Sequence, residues 1–386
     1  MYQCVIGVPK EVKPQEGRVG VTPDGVRTLC AQGDSVIVEY DAGVLSGFSN
    51  HDYLSAGATV ISNVEELYRR ADMIVKVKEL IPQEYRLIPL LNGKVLFTYL
   101  HLAGVDPELT MLLLEHKVTA IAYETVTGTE NGRTIFPLLV PMSRIAGVQA
   151  MRGALLRYEK ECYAKLEAVI LGGGVVGEAA LNQALVNDVG LVSVFESRQE
   201  RVSELREKYF GEQSRLSVFP FSFLETAIGR KVLYGADIVI SGILIPGGAE
   251  APKVLTQKHF RHMKHGAYIA DVSIDQGGST VWSRVTKPGE TFTRGKRGIV
   301  LSCVPNIPGS TVPKEATEEL TKATFPFVEL LGASIQQHGI GGAWHAMRAN
   351  KDLRNGLQTQ GGYVTNRFVA EKYGLQDKYQ QLDRIF

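Results

Sequence analysis

The order of apolar and polar positions divides the chain into short buried runs separated by amphipathic stretches. Cys4–Val8, Val36–Glu39, Met73–Val77, Lys94–Tyr99 and Thr119–Tyr123 are apolar runs of strand length bounded by turn residues, so each predicts a buried strand. Helix starts lie between them. Thr22-Pro23 supplies a cap followed by proline, Asn63 with Glu66 resembles a capping box, and Asp106-Pro107 repeats the cap-plus-proline signal before Glu108–Lys117. This alternation predicts a mostly parallel sheet covered on both faces.

A second series begins near Ala168. Strands are expected at Ala168–Leu171, Leu191–Phe195, Asp237–Ser241, Tyr268–Val272 and Ile299–Cys303, with helices around Val175–Asp188, Gln199–Tyr209 and Thr256–His265. Ser143–Glu161 carries Ile145, Val148, Ala154 and Leu155 on a helical period and reads as a linking helix capped by Ser143. Another long helix follows Pro313 up to Gly339, and then a helical tail. The fold class expected is α/β, with two doubly wound Rossmann-like domains linked by long helices and a ligand cleft between them. Residues 1–142 and 310–386 would form a discontinuous substrate domain, and 143–309 the inserted nucleotide domain.

The second series opens on a motif that carries chemistry. Ala168–Leu171 runs into Gly172-Gly173-Gly174-Val175-Val176-Gly177, a G-x-G-x-x-G between strand and helix. Gly172 permits the tight turn, Gly174 the approach of a pyrophosphate, and Gly177 close packing of helix on strand; Val175 and Val176 open the helix whose free N–H groups face the anion. Glu196 ends the next strand, where a carboxylate accepts from the adenosine ribose hydroxyls and repels a 2′-phosphate, which points to NAD. Arg198, two residues on, is the one feature that would tolerate such a phosphate. A methyltransferase uses a similar loop, but a second doubly wound series fits an enzyme that closes over two ligands.

Composition adds limits. The 386 residues hold 42 Lys+Arg against 41 Asp+Glu, a formal charge of +1, and no basic run, which argues against nucleic-acid binding. No uncharged apolar run is long enough to span a membrane; the longest, Ile238–Ala249, is broken by Pro246, Gly247 and Gly248. The opening residues lack a signal-peptide pattern, so a cytoplasmic protein is expected. Cys4, Cys30, Cys162 and Cys303 are widely spaced and suggest neither disulfides nor a metal site. The 40 glycines are a surplus that the dinucleotide motif explains in part.

Six further segments resemble the alanine dehydrogenase family, in order and over nearly the whole chain. They are Gly7-Val8-Pro9-Lys10-Glu11, Arg18-Val19-Gly20-Val21-Thr22-Pro23, Lys76-Val77-Lys78-Glu79, Phe97-Thr98-Tyr99-Leu100-His101-Leu102-Ala103, Ala122-Tyr123-Glu124-Thr125-Val126 and Ile274-Asp275-Gln276-Gly277-Gly278. The resemblance implies reversible NAD-dependent deamination of L-alanine to pyruvate and ammonium. It assigns Arg18 and Lys78 to the substrate carboxylate and carbonyl, His101 and Asp275 to acid–base work, and Ser143, Arg201 and Asn306 to the cofactor. It also implies a homo-hexamer.

These residue types suit the chemistry. An arginine is the natural bidentate partner of a small carboxylate. Hydride loss from the α-carbon gives an iminium, water adds, and protons move at each step. A histidine exchanges protons near neutrality, an aspartate orients water or ammonia, and a lysine stabilises charge on a carbonyl oxygen. Taken singly, Arg18 is more often a surface or ion-paired residue, Lys78 a solvated side chain and His101 a satisfied strand-end histidine. Position separates them, because Lys78, His101 and Asp275 fall just past strands, at the edge where such sheets bind ligands. His259, His262 and His265 read as a solvated helix end, Asp271 as support for the site, and Trp282 and Trp344 as packing residues.

The chain departs from the family pattern in three places. Arg157–Lys165 crosses directly to the nucleotide strand without a Gly-rich segment, Val304-Pro305-Asn306-Ile307-Pro308 replaces V-A-N-M-P, and Arg144 replaces a glutamate. Alternatives are a dehydrogenase of another small amino acid, a transhydrogenase NAD-binding subunit, a saccharopine- or lysine-forming relative, or a silent ligand-binding protein. The Leu-His-Leu-Ala and Ile-Asp-Gln-Gly-Gly segments argue against the transhydrogenase, and the intact set of Arg18, Lys78, His101 and Asp275 against the silent protein.

Overall fold

A computed structural model of the chain describes residues 2–130, 132–158, 162–243 and 250–386. The chain divides into one unit of Met1–Pro141 with Val312–Phe386 and a second of Met142–Thr311. In chain order the strands are β1 (Val5–Val8), β2 (Ser35–Glu39), β3 (Thr59–Ile61), β4 (Met73–Val75), β5 (Val95–Thr98) and β6 (Thr119–Ala122), then a separate hairpin of β7 (Gly128–Glu130) and β8 (Arg133–Ile135). They continue with β9 (Glu167–Leu171), β10 (Leu191–Glu196), β11 (Leu216–Pro220), β12 (Ile238–Ser241), β13 (Tyr268–Asp271), β14 (Phe292–Arg294), β15 (Ile299–Ser302), β16 (Leu357–Gln360) and β17 (Tyr363–Val364).

The first sheet runs β17-β16-β6-β5-β4-β1-β2-β3. Its pairings from β6 to β3 are parallel, and β16 and β17 add antiparallel. The second runs β11-β10-β9-β12-β13-β15-β14, parallel except for β14. Strand order therefore reverses between β9 and β12, the point at which a doubly wound sheet opens a crevice for ligand.

Burial on both faces explains why these strands read as continuous apolar runs. In β9, Ala168 and Ile170 pack with Ala150 and Ala154 of the helix Val140–Leu156, while Val169 and Leu171 pack with Leu233, Phe260 and Ile269 on the opposite face. Local signals act as expected at several helix starts. Thr22 accepts from the Gly25 N–H, Asn63 from the Glu66 N–H and Asp106 from the Glu108 N–H, each satisfying a donor that the helix cannot.

Four expectations need correction. The linking helix starts at Val140 and ends at Leu156, so Ser143 lies within its first turn rather than capping it; residues 159–161 of the expected span lie outside the described residues. The expected helix Thr256–His265 is only Gln257–Phe260. His259 is buried, its Nδ1 accepting from the Thr256 N–H, so it closes a helix start rather than decorating a solvated end. The tail is not purely helical, because β16 and β17 return to the first sheet. Among the described residues, no helix is long and apolar enough to cross a membrane. The end of the Ile238–Ala249 run, including Pro246, Gly247 and Gly248, lies outside them.

Candidate active site

In the first unit the candidate residues follow the carboxyl ends of neighbouring parallel strands. Lys78 comes after β4 and His101 after β5, while Arg18 sits in the loop leaving β1. Tyr99 gathers them: its ring lies 5.8 Å below the Lys78 ammonium and 5.7 Å from the His101 imidazole, stacked at 26°. The phenol is fixed in turn, donating to the Leu138 carbonyl at 2.5 Å.

Carboxylates that had no assigned role hold this set in place. Arg18 is 2% exposed, and Glu16 takes its Nε at 2.8 Å and Nη2 at 2.5 Å while also accepting from the Arg18 backbone N–H. Burial alone would raise the Glu16 carboxyl, but the guanidinium beside it brings it down to about 2, so the pair is fully ionised at neutral pH. Glu79 accepts from Nδ1 of His101 at 3.2 Å and also pairs with Lys13. Burial opposes its charge, yet the His101 hydrogen bond and the two cations hold it well below the usual carboxylate range. Glu124 receives the backbone N–H groups of Leu100 and His101, the latter at 2.6 Å, and so pins a turn in which His101 adopts φ +47°. A left-handed histidine is strained, and such strain gathers where side-chain direction matters.

Behind these lies a buried ionic cluster. Lys76, fully enclosed, bonds Glu11 at 2.7 Å and Glu84 at 3.3 Å, and Glu11 also accepts the Val77 N–H at 2.6 Å. Lys76 is therefore consumed structurally, whereas the Lys78 ammonium has no hydrogen-bond or ion-pair partner among the described residues. Burial and the nearby Arg18 cation both lower the Lys78 pKa. An ammonium without a fixed acceptor, beside a histidine with Nδ1 held and Nε2 unpartnered among the described residues, is suited to a small polar oxygen-bearing ligand.

In the second unit, β9 turns at Gly172, whose φ of +95° favours glycine. A Cβ on Gly177 would stand 1.8 Å from the Gly172 carbonyl oxygen, which explains the third glycine of the motif. Gly174 caps the helix Val175–Val186 without a side-chain hydrogen bond, and a Cβ there would meet none of the described residues within 4 Å. A helix N-terminus with no side-chain cap and no described residue against it fits the phosphates of a nucleotide cofactor. Glu196 is buried at the end of β10 and accepts from the Gly173 N–H at 2.8 Å and from Arg198 Nε at 3.1 Å. Arg201 donates to the Gly173 carbonyl at 2.9 Å and pairs with Glu178, bracing the same loop. Ser143, half-buried, lies in the linking helix.

Asp275 is exposed in the turn Val272–Gln276 after β13, with the Asn306 N–H 3.5 Å from its carboxylate. Asn306 is left-handed at φ +50°. Asp271 is consumed by the N–H groups of Ser273 and Ser279 and by two serine hydroxyls. Trp282 stacks on Phe260 at 3.8 Å, and Trp344 packs against His345 and Phe386, so neither indole is a free platform. Arg18, Lys78 and His101 thus meet on one unit, while Asp275, Asn306 and the glycine loop belong to the other. Glu16, Glu79 and Tyr99 were missed as participants; an acid two residues before Arg18 and another directly after Lys78 were the available signals.

The alanine dehydrogenase/PNT N-terminal domain model matches residues 7–146, and the corresponding C-terminal domain model residues 149–367. The chain belongs to the alanine dehydrogenase/PNT family. Alanine dehydrogenase of Bacillus subtilis is 39% identical over 96% of this chain and 95% of its own length. Those of Halomonas elongata and Methanococcus maripaludis are 38% and 35% identical, each over 96% of this chain and 97% of their own. A solved L-alanine dehydrogenase superposes with a TM-score of 0.82 at 34% identity, covering 96% of this chain and 99% of that one. A transhydrogenase from Sinorhizobium meliloti shares the fold at a TM-score of 0.74 and 21% identity. Family membership and the Rossmann-like second unit imply a nucleotide cofactor.

Proposed function

We propose that the protein is an NAD-dependent alanine dehydrogenase, converting L-alanine reversibly to pyruvate and ammonium. The observation that carries this reading is the grouping of Arg18, Lys78 and His101 around Tyr99 at the carboxyl ends of the first sheet, in a chain 35–39% identical to alanine dehydrogenases over nearly its whole length. Arg18 and Lys78 supply positive charge for a carboxylate and a carbonyl oxygen. Glu79 holds Nδ1 of His101, which leaves Nε2 to exchange a proton with the substrate. Asp275 orients the water or ammonia that adds to the iminium.

Gly174, Val175 and Val176 would hold the cofactor's phosphates, with Glu196 toward the adenosine ribose and Ser143, Arg201 and Asn306 as further contacts. When bound, the nicotinamide accepts the substrate's α-hydride. The Glu196 carboxylate, a repellent to a 2′-phosphate, is the ground for NAD rather than NADP. The solution state proposed is a cytoplasmic homo-oligomer, hexameric by family resemblance, which sedimentation would test.

The deciding assay follows the absorbance of reduced cofactor with NAD and a panel of L-amino acids. Turnover with alanine well above every other amino acid is expected. Turnover with a different amino acid alone would overturn the substrate, and NAD binding without any turnover would favour a silent relative.

A further inference from the structure

The turn bearing Asp275 is held by a splint that no sequence motif announced. Four consecutive carbonyls beyond the aspartate accept hydrogen bonds from one neighbouring segment. The Ala251 N–H donates to Gln276 at 2.8 Å, the Lys253 ammonium to Gly277 at 2.6 Å and Gly278 at 2.7 Å, and the Leu255 N–H to Ser279 at 3.2 Å. The middle two need a side chain. Gly277 and Gly278 are both left-handed, with φ of +84° and +80°, so their carbonyls leave the direction an extended neighbour can pair. Lysine answers this with a flexible stem and three donors on one atom. Two go to the glycine carbonyls, and Glu250 lies 3.3 Å from the same nitrogen.

The Gly277 N–H donates to Ile274 and the Gly278 N–H to Ser273, both at 3.0 Å, closing the turn, but among the described residues little else fixes the Asp275 side chain itself. Its carboxylate is exposed, and the Asn306 N–H at 3.5 Å lies at the outer limit of a hydrogen bond. Asp271 ties the neck of the turn through Ser273 and Ser279, but it does so two residues before and four after the aspartate. The backbone that carries Asp275 is thus held by the turn's own bonds on one side and by Lys253 on the other.

We propose that Lys253 is a positioning residue for the deamination reaction, holding the Gly277-Gly278 backbone so that Asp275 is presented in its working orientation. The proposal rests on the reading of Asp275 as an acid–base residue. Lys253 is 34% exposed on its side chain and packs no core, so its loss should act on the turn rather than on the fold.

The experiment compares wild type, Lys253→Met, Lys253→Arg and Asp275→Asn. For each, kcat and KM for alanine, the dissociation constant of NADH by fluorescence, and the thermal midpoint are measured. Methionine keeps the stem and removes the donors, and displacement of a reacting group by about 1 Å costs on the order of 10²-fold in rate. The expected result is a kcat fall of about that size in Lys253→Met, with NADH affinity within about twofold and the melting midpoint held. Arginine, which keeps charge and donors, should recover a substantial part of the rate. Near-normal kcat in Lys253→Met would overturn the proposal, as would loss of NADH binding or of thermal stability in step with activity in both variants. Normal kcat in Asp275→Asn would instead overturn the acid–base reading, and this proposal with it.

Discussion

Two glycines three residues apart separate cofactor binding from fold stability. At Gly177 an added methyl must move the Gly172 carbonyl oxygen from 1.8 Å to the 3.0 Å that real contacts respect, and a backbone atom cannot evade it by rotation. Overpacking of this kind costs about 3 kcal/mol, the upper part of the usual range, and it also displaces the turn that would face the phosphates. At Gly174 the backbone, at φ −71° and ψ −165°, is ordinary extended geometry, and the methyl meets none of the described residues. There the reduced entropy of the unfolded chain favours alanine, while its poor performance as an N-cap opposes it, so free-protein stability should change by less than about 1 kcal/mol.

The methyl does fill the space in front of the helix N-terminus. Each hydrogen bond lost to a charged phosphate is worth about 1.5–3 kcal/mol, so Gly174→Ala should weaken NADH by roughly 10- to 100-fold. Urea unfolding and NADH fluorescence titration read the two quantities separately. Gly177→Ala should lose both and Gly174→Ala only affinity. Wild-type affinity in Gly174→Ala would refute an anion at this helix end.

Three further outcomes follow from the site. Glu16 has a folded-state carboxyl near 2 against about 4.3 unfolded, so its contribution is complete above the unfolded value and is lost as pH falls toward 2; Glu16→Gln, which removes the carboxylate that takes Arg18 Nε and Nη2, should cost about 3–5 kcal/mol and flatten the acid limb of stability in urea titrations at a series of pH values. An unchanged acid limb would remove Glu16 as its source. Glu79→Gln should lower kcat by about tenfold with NADH affinity intact, because the His101 ring loses its charged anchor, and a normal kcat would show that the ring is held by Tyr99 and the backbone alone. Glu196→Ala should narrow the preference for NADH over NADPH by at least about tenfold in binding titrations; an unaltered ratio would remove the ribose assignment.

What was legible in the sequence was what burial on two faces writes as apolar runs. The central strands of both sheets read directly, as did the strand–loop–helix around Gly172. Short edge strands such as Thr59–Ile61 and Leu216–Pro220 did not, since one side of each has no partner strand among the described residues and too few residues show a period. The hairpin of β16 and β17 was hidden because Gln358 and Thr359 look polar but are enclosed by long-range pairing with β6. Thr256–His265 has a helical look, yet His259 turns inward to bond Thr256 and the helix stops at Phe260. At the site, the cations were visible through their motifs and Glu16 and Glu79 stood beside them in the sequence, but what each carboxylate holds is decided by the fold, and Lys253 acts through contacts that no local pattern encodes.

The return of the chain's C-terminal segment to the first sheet sets an order of events during synthesis. β6 emerges from the ribosome early, but the strand that covers its edge, Leu357–Gln360, follows the whole of the second unit. Until it arrives, Thr119–Ala122 offers an open row of backbone donors and acceptors, the arrangement that recruits other nascent chains. The inserted unit, contiguous in sequence, has all its strands in hand sooner. Maturation thus runs opposite to translation: the unit begun first is finished last, and pelleting assays on chains truncated before Leu357 should find them aggregating while the inserted unit remains folded.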